Sequence, residues 1–211
     1  MTVPKPAPAS LHGFRLVGIC GKAGVGKDTV ANILSRMKHS DRLWVHTEAL
    51  ADDVKAVASI VFSVDYDDFF NREVKENPIQ AIGGYSPRRL SQLVGTDCFR
   101  QVFGVWVWVA ALHRRLQHAR LVADAVVVTD VRFASEVQWI LEQDGVLVYL
   151  TRDAAAPVAA HASEQVPSLQ LVQNMCEQYG GSVVVIENNG SMEELASAID
   201  KQLVPLLVPT T

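Results

Sequence analysis

The sequence predicts an α/β fold, a mainly parallel central sheet covered by helices on both faces in three layers. Three observations predict it. Short apolar runs that read as strands alternate with amphipathic segments that read as helices, the pattern of a parallel sheet with crossover connections. The first strand runs directly into Gly21-Lys22-Ala23-Gly24-Val25-Gly26-Lys27, a G-x-x-x-x-G-K loop with a helix behind it. A later unbroken apolar run, Ala125 to Asp130, ends in a carboxylate. Ligands of such sheets sit at the carboxyl ends of the strands. The loop, Asp130 and the segment after Thr151 therefore belong on one edge.

In chain order, Leu16 to Cys20 reads as a buried strand and Lys27 to Lys38 as the helix after the loop. Leu43 to Thr47 is a second strand, leading into a helix from Leu50 to Phe62 with Leu50, Val54, Val57, Ala58 and Val61 on one face. Asn71 to Ser86, polar and carrying Pro78 and Gly83-Gly84, reads as a long loop. Ser86-Pro87 opens a helix with proline in its first position, and Leu90, Leu93 and Val94 form its stripe. Val105 to Gln117 is helical on Trp108, Leu112 and Leu116. Phe133 to Gln143 follows on Val137, Ile140 and Leu141, with Gly145 just beyond its end. Val146 to Thr151 and Ser182 to Glu187 are strands, and Met192 to Leu203 is the closing helix. With no internal repeat, residues 14–211 read as one domain with a helical, acceptor-side insertion at about 63–118. The proline-rich start, residues 1–13, reads as a flexible arm.

At 211 residues, 49% hydrophobic and 20% charged, the chain has the make-up of a globular domain with a core of its own. A formal charge of −4 offers no general attraction to nucleic acid or anionic membrane, so phosphate recognition must come from local clusters. Cys20, Cys98 and Cys176 are widely spaced and no histidines form H-x-x-x-H, which speaks for reduced thiols and against a zinc site. Val102 to Leu112 is the most apolar stretch after the start, too short to span a bilayer. The expectation is a soluble, cytoplasmic protein.

The loop carries the clearest chemistry. Its glycines let the backbone turn tightly and bring N–H groups against phosphate oxygens, and the helix behind it aims its positive end at the same anion. Gly21, Ala23, Gly24, Val25, Gly26, Lys27, Asp28 and Thr29 form the candidate ATP site, with the Lys27 ammonium following the β- and γ-phosphates. The usual magnesium ligand after the lysine is a hydroxyl; here Asp28 stands there and Thr29 comes one place later. Asp130 takes the position of a Walker B carboxylate facing the metal, although strands also end in Asp for turn reasons. Arg132 emerges near the same edge, to meet a phosphoryl group in flight or to pair with Glu136. Lys27, Asp130 and Arg132 are the candidate catalytic residues.

A second cluster runs from Arg72 to Arg100, with Lys75, Arg88 and Arg89 interleaved with Glu73, Glu76 and Asp97. It is either a solvated charged surface or a second anion pocket. A kinase with a phosphorylated acceptor needs such a pocket, because two polyanions must be held close for in-line transfer. A nucleotide-binding switch or assembly protein does not.

The GKDT ending of the loop resembles that of the deoxynucleoside monophosphate kinases of tailed bacteriophages. The likeness continues through REVKENP (Arg72 to Pro78), SPRRLSQLVGTD (Ser86 to Asp97), Trp108-Val109, VVVTDVRFASE (Val126 to Glu136), HASE (His161 to Glu164) and NNGSMEEL (Asn188 to Leu195). The resemblance implies a P-loop NTPase fold of the nucleoside monophosphate kinase type. It also implies phosphorylation of deoxynucleoside monophosphates to diphosphates by ATP with Mg2+, for DNA precursors in a phage-infected host's cytoplasm. In that family Asp follows the loop lysine. Magnesium would be positioned by Asp28 or Thr29, and through water by Asp130. Lys55, Arg72 and Arg88 would fall in the monophosphate pocket, with Gln92 and Trp108 as base or sugar contacts. A homodimer is allowed; nucleic-acid and membrane partners are not implied.

Leu50-Ala51-Asp52-Asp53 and the alanine-rich 154–156 depart from the family's pattern. His161, Ser163 and Glu164 are too close in sequence to converge as a hydrolase relay. Ser163 is either a helix cap or part of a segment closing over the nucleotides. Asn188-Asn189-Gly190 reads as a turn before the last helix, in a region that borders adenine in phosphate-loop kinases. The rival readings are another small kinase with a phosphorylated acceptor, such as phosphomevalonate or dephospho-coenzyme A, and the nucleotide-binding switch.

Overall fold

The computed structural model describes residues 2–7, 14–36, 44–119, 122–153, 161–162 and 165–207. In chain order its elements are β1 (Arg15–Cys20), α1 (Lys27–Arg36), β2 (Val45–Glu48), α2 (Ala51–Phe62), α3 (Pro87–Gln92), α4 (Gln101–Phe103), α5 (Val107–Ala119), β3 (Ala125–Val131), α6 (Ala134–Glu142), β4 (Val146–Thr151), α7 (Leu169–Tyr179), β5 (Ser182–Glu187), α8 (Met192–Gln202) and α9 (Val204–Leu207). The chain divides into two compact units, one of Met1–Pro6 and Leu50–Ala111, the other of Ala7–Ala49 and Leu112–Thr211. Each is described by itself.

The larger unit is built on a five-stranded sheet in the order β2-β3-β1-β4-β5, every neighbouring pair parallel. Apolar residues alternate between its faces as the strand period demands. Val17 and Ile19, Ala125 and Val127, Val148 and Leu150, and Ile186 form one buried face with α1, α8 and α9. On the opposite face Gly18 leaves room for α6: a Cβ there would overlap Cδ1 of Ile140. Helix α7 packs with α6 and β5. The sequence does not announce it; it buries Val172, Met175 and Cys176. Ser168 caps its start by accepting the Leu171 N–H (3.2 Å), and Gly180 at φ 76° ends it.

The smaller unit is helical. Helix α2 buries Val54 and Ala58 but leaves Val61 64% exposed, a correction to the expected five-residue stripe. The expected loop at 71–86 contains a small antiparallel closure: Ile79 bridges Tyr85, and Gly83 and Gly84 turn the chain at φ 78°. Ser86 caps α3 by accepting the Arg89 N–H, with Pro87 in the first turn, as its sequence predicts. Beyond α3 the chain widens into a π-helix over Leu93–Arg100, which nothing in the periodicity announces. Residues 2–7 are the described part of the expected arm; there the Val3 N–H donates to the Phe103 carbonyl (2.7 Å), and the Lys5 ammonium lies 5.5 Å from the Trp106 ring centre.

Candidate active site

Strand β1 lies between β3 and β4 at the centre of the parallel sheet, and ligands of such sheets bind beyond the carboxyl ends of the strands. The glycine loop fills that place. Gly21, Gly24 and Gly26 take φ of 145°, 79° and 101°, conformations that a side chain resists. At Gly21 a Cβ would also overlap the backbone carbonyl of Leu150. The Lys27 ammonium turns back over the loop and donates to the carbonyls of Gly21 (2.8 Å) and Lys22 (2.9 Å). Gly26 accepts the Val30 N–H (3.0 Å), starting α1 with Asp28 in its first turn and Thr29 behind it.

Asp130 is placed by an irregularity. On β1, Gly18 to Cys20 faces Val128 to Val131 on β3, so β3 carries one extra residue around Thr129 and Asp130. Such a bulge re-aims a side chain at the end of a strand. Just beyond it, the buried Glu136 carboxylate accepts the backbone N–H groups of Arg132 (2.7 Å) and Phe133 (3.1 Å). Glu136, weighed in the sequence as a salt-bridge partner of Arg132, thus organises the backbone on which Arg132 sits. Beneath the loop Cys20 is fully buried, and its thiol is pushed up to about 12, chiefly by burial and next by the Glu136 carboxylate, with Lys27 opposing.

The carboxyl ends of β4 and β5 complete the edge. Asn188 donates its backbone N–H to Thr151 (2.8 Å) and its side-chain amide to the Val25 carbonyl in the loop (2.8 Å). Asn189 and Asp153 hold each other, backbone N–H to Oδ1 (2.9 Å) and Nδ2 to Oδ2 (3.0 Å). The sequence offers a turn near adenine here, without the tie from Asn188 to the loop. The available signal was an amide side chain directly after a strand that ends on the loop's edge.

The candidate acceptor residues all lie in the smaller unit. The Lys55 ammonium is 3.7 Å from the Phe70 ring centre and 3.7 Å from Asp52 Oδ1. Arg88 is tied through Nε to Glu76 (2.6 Å), and its backbone N–H goes to the Lys75 carbonyl (2.9 Å). Gln92 Oε1 accepts from Arg89 Nη1 at 3.4 Å, while Arg89 also pairs with Asp97 (3.4 Å). Arg72 is exposed and makes no ion pair with a described residue. Trp108 is buried, and its indole N–H is given to the Gly95 carbonyl (2.8 Å) inside the π-helix. His161 is described, but Ser163, Glu164 and the alanines at 154–156 lie outside the described residues.

The profile of the family described as deoxynucleotide monophosphate kinase matches residues 62–199. A protein of Acanthamoeba polyphaga mimivirus, described as "Putative deoxynucleotide monophosphate kinase", is 30% identical over 194 residues, covering 87% of this chain and 93% of that protein. The chain belongs to the deoxynucleotide monophosphate kinase family. It is accordingly an enzyme, a phosphotransferase. The family segment takes in Arg72, Arg88, Gln92, Trp108, Asp130, Arg132 and Asn188, while the glycine loop and Lys55 precede it.

Among the described residues of this kinase, no group of three His, Cys, Asp or Glu side chains is placed to hold a metal ion. Asp28, Thr29 and Asp130 supply oxygen alone. That set suits magnesium, which keeps its waters, takes one or two protein oxygens and is otherwise held by substrate phosphates. Among the described residues, no helix is long and apolar enough to cross a membrane.

Proposed function

We propose that this kinase transfers the γ-phosphoryl group of ATP to the 5′-phosphate of a deoxynucleoside monophosphate, giving the diphosphate and ADP. The observation that carries this reading is the loop from Gly21 to Lys27. Three glycines at positive φ and a lysine stand at the carboxyl end of the central strand, in a chain of this family. In the reaction the bond from Pγ to its bridging oxygen breaks, and a bond forms from Pγ to an acceptor phosphate oxygen. The acceptor is already an anion at neutral pH, its second pKa being about 6, so no general base is required.

The loop N–H groups and Lys27 hold the β- and γ-phosphates. Lys27 exchanges the loop carbonyls it now touches for phosphate oxygens, and so moves little on binding. Asp28 presents a physical problem that itself supports a cation: a carboxylate in the first turn of the receiving helix repels a triphosphate unless a cation stands between them. Asp28, Thr29 and Asp130 would hold Mg2+ there, directly or through water. When bound, the ion neutralises charge on the β- and γ-oxygens. Arg132 stabilises the transferring group. Lys55, Arg72 and Arg88 hold the acceptor phosphate, with Gln92 and the turn supported by Trp108 facing base or sugar. The product is a DNA precursor, and the resemblance to phage enzymes supports a role in viral replication in the host cytoplasm.

The test is ADP release with ATP, Mg2+ and each common deoxynucleoside monophosphate, beside phosphomevalonate and dephospho-coenzyme A. Turnover with at least one of the nucleotides is expected. Turnover confined to one of the other acceptors would overturn the proposal.

A further inference from the structure

We propose that Asn188 is a positioning residue for the donor phosphates, acting by fixing the orientation of the peptide between Val25 and Gly26. The inference rests on reading residues 21–29 as the ATP loop and adds a residue 163 positions away that sets its shape.

In a trans peptide the carbonyl and the following N–H point in opposite directions, and no described peptide bond is cis. Asn188 Nδ2 donates to the Val25 carbonyl at 2.8 Å, which draws that oxygen out of the loop towards β5. The Gly26 N–H belongs to the same peptide and is thereby turned away from Asn188, to the side where an anion is received. Without this tether the peptide is free to rotate, because Gly26 tolerates either sign of φ. A carbonyl turned into the cradle would repel phosphate.

Two further observations fit Asn188 to this task. It is anchored before any ligand arrives: its own N–H is held by Thr151 (2.8 Å), and neighbouring Asn189 is locked to Asp153 through both side chains and a backbone N–H. The close approach also depends on glycine at position 26, where a Cβ would lie 2.6 Å from Asn188 Nδ2. Gly26 therefore serves twice, by accepting φ 101° and by leaving space for the amide that sets it.

The experiment measures MgATP affinity by calorimetry, the KM for a deoxynucleoside monophosphate, and the 15N–1H signal of Gly26 with and without MgATP. For the wild type the Gly26 amide should shift downfield on MgATP addition. Asn188→Ala should weaken MgATP by about tenfold or more, the worth of an oriented hydrogen bond to a charged group, and abolish that shift. The acceptor KM should stay unchanged. Asn188→Asp, nearly isosteric but unable to donate when ionised, should be at least as damaging; a space-filling role would spare it. A wild-type Gly26 amide that ignores bound MgATP overturns the inference. So does Asn188→Ala that binds MgATP as the wild type does. Failure of the wild type to bind MgATP at all overturns the ATP-loop reading, and this inference with it.

Discussion

The two units build their sites from different materials. In the larger unit the candidate donor site is mostly backbone: glycines at positive φ, a bulge beside Asp130, and carbonyls that Lys27 and Asn188 hold in place. In the smaller unit the candidate acceptor site is side chains on short helices and turns, several already engaged with neighbours, such as Arg88 with Glu76 and Lys55 with Asp52. A site made of backbone N–H groups suits phosphate whatever nucleoside carries it. A site made of side chains can change one residue at a time, which suits recognition of the more variable base and sugar.

The largest effect that tests this contrast is at Lys27. Lys27→Met removes the ammonium that turns back over the loop while leaving the glycines and Lys22 unchanged. It should lower kcat by about 10²–10³-fold, as loss of one transition-state donor does elsewhere. The acceptor KM and the thermal midpoint should be preserved. A kcat near that of the wild type would show that the backbone alone carries the donor chemistry.

Trp108→Phe probes the smaller unit where it is most ordered. The ring can still pack against Phe99, 5.0 Å away between centres, but the buried Gly95 carbonyl loses its donor. An unmet buried acceptor costs about 1–3 kcal/mol, to be read from urea unfolding. If stability were untouched and only the acceptor KM rose, Trp108 would be meeting substrate directly.

How far the sequence reveals each site follows from the same contrast. The glycine loop is legible because positive φ and close backbone approach restrict its residues locally, and β4 and β5 begin and end where their apolar runs do. Asp130 is legible as a strand-ending carboxylate, but its bulge is not, since an extra residue shows only against the partner strand. The Asn188 tether joins residues far apart in sequence, and the π-helix over Leu93–Arg100 arises from packing rather than periodicity. Val61 matches a helical stripe yet is exposed, because a periodic pattern does not say where the neighbouring elements stop. The resemblance offers Trp108 as a base or sugar contact, and the Gly95 carbonyl that takes its N–H, thirteen residues away, is not legible in the sequence.

Arg72 sharpens the division between side-chain and backbone recognition. It is exposed and pairs with no described acid, so Arg72→Ala should leave the thermal midpoint where it is. Removing a charged hydrogen-bond donor to a phosphate should raise the acceptor KM by about tenfold. The KM for ATP should not move. A rise in both would mean that Arg72 serves the donor, and no rise in either that it is surface charge.

The cysteines give the smallest effect and separate the units by pH. Cys98, in the smaller unit, is exposed, whereas Cys20 and Cys176 are buried in the larger one. At pH 8 a thiol reagent should label Cys98 in the native protein and reach the other two only on unfolding. Cys20 also makes a thermodynamic prediction. Its folded thiol is raised from 9.0 to about 12, so the folded state keeps a proton that the unfolded chain sheds. The stability this represents is fully present below the unfolded value. It is lost as pH climbs from there towards the folded one, by at most about 1.4 kcal/mol per pH unit. Urea midpoints for the wild type should therefore fall between pH 9 and pH 10.5, and Cys20→Ala, with no thiol to titrate, should show a shallower decline. Equal slopes would mean that the buried Cys20 thiol adds nothing to the alkaline loss.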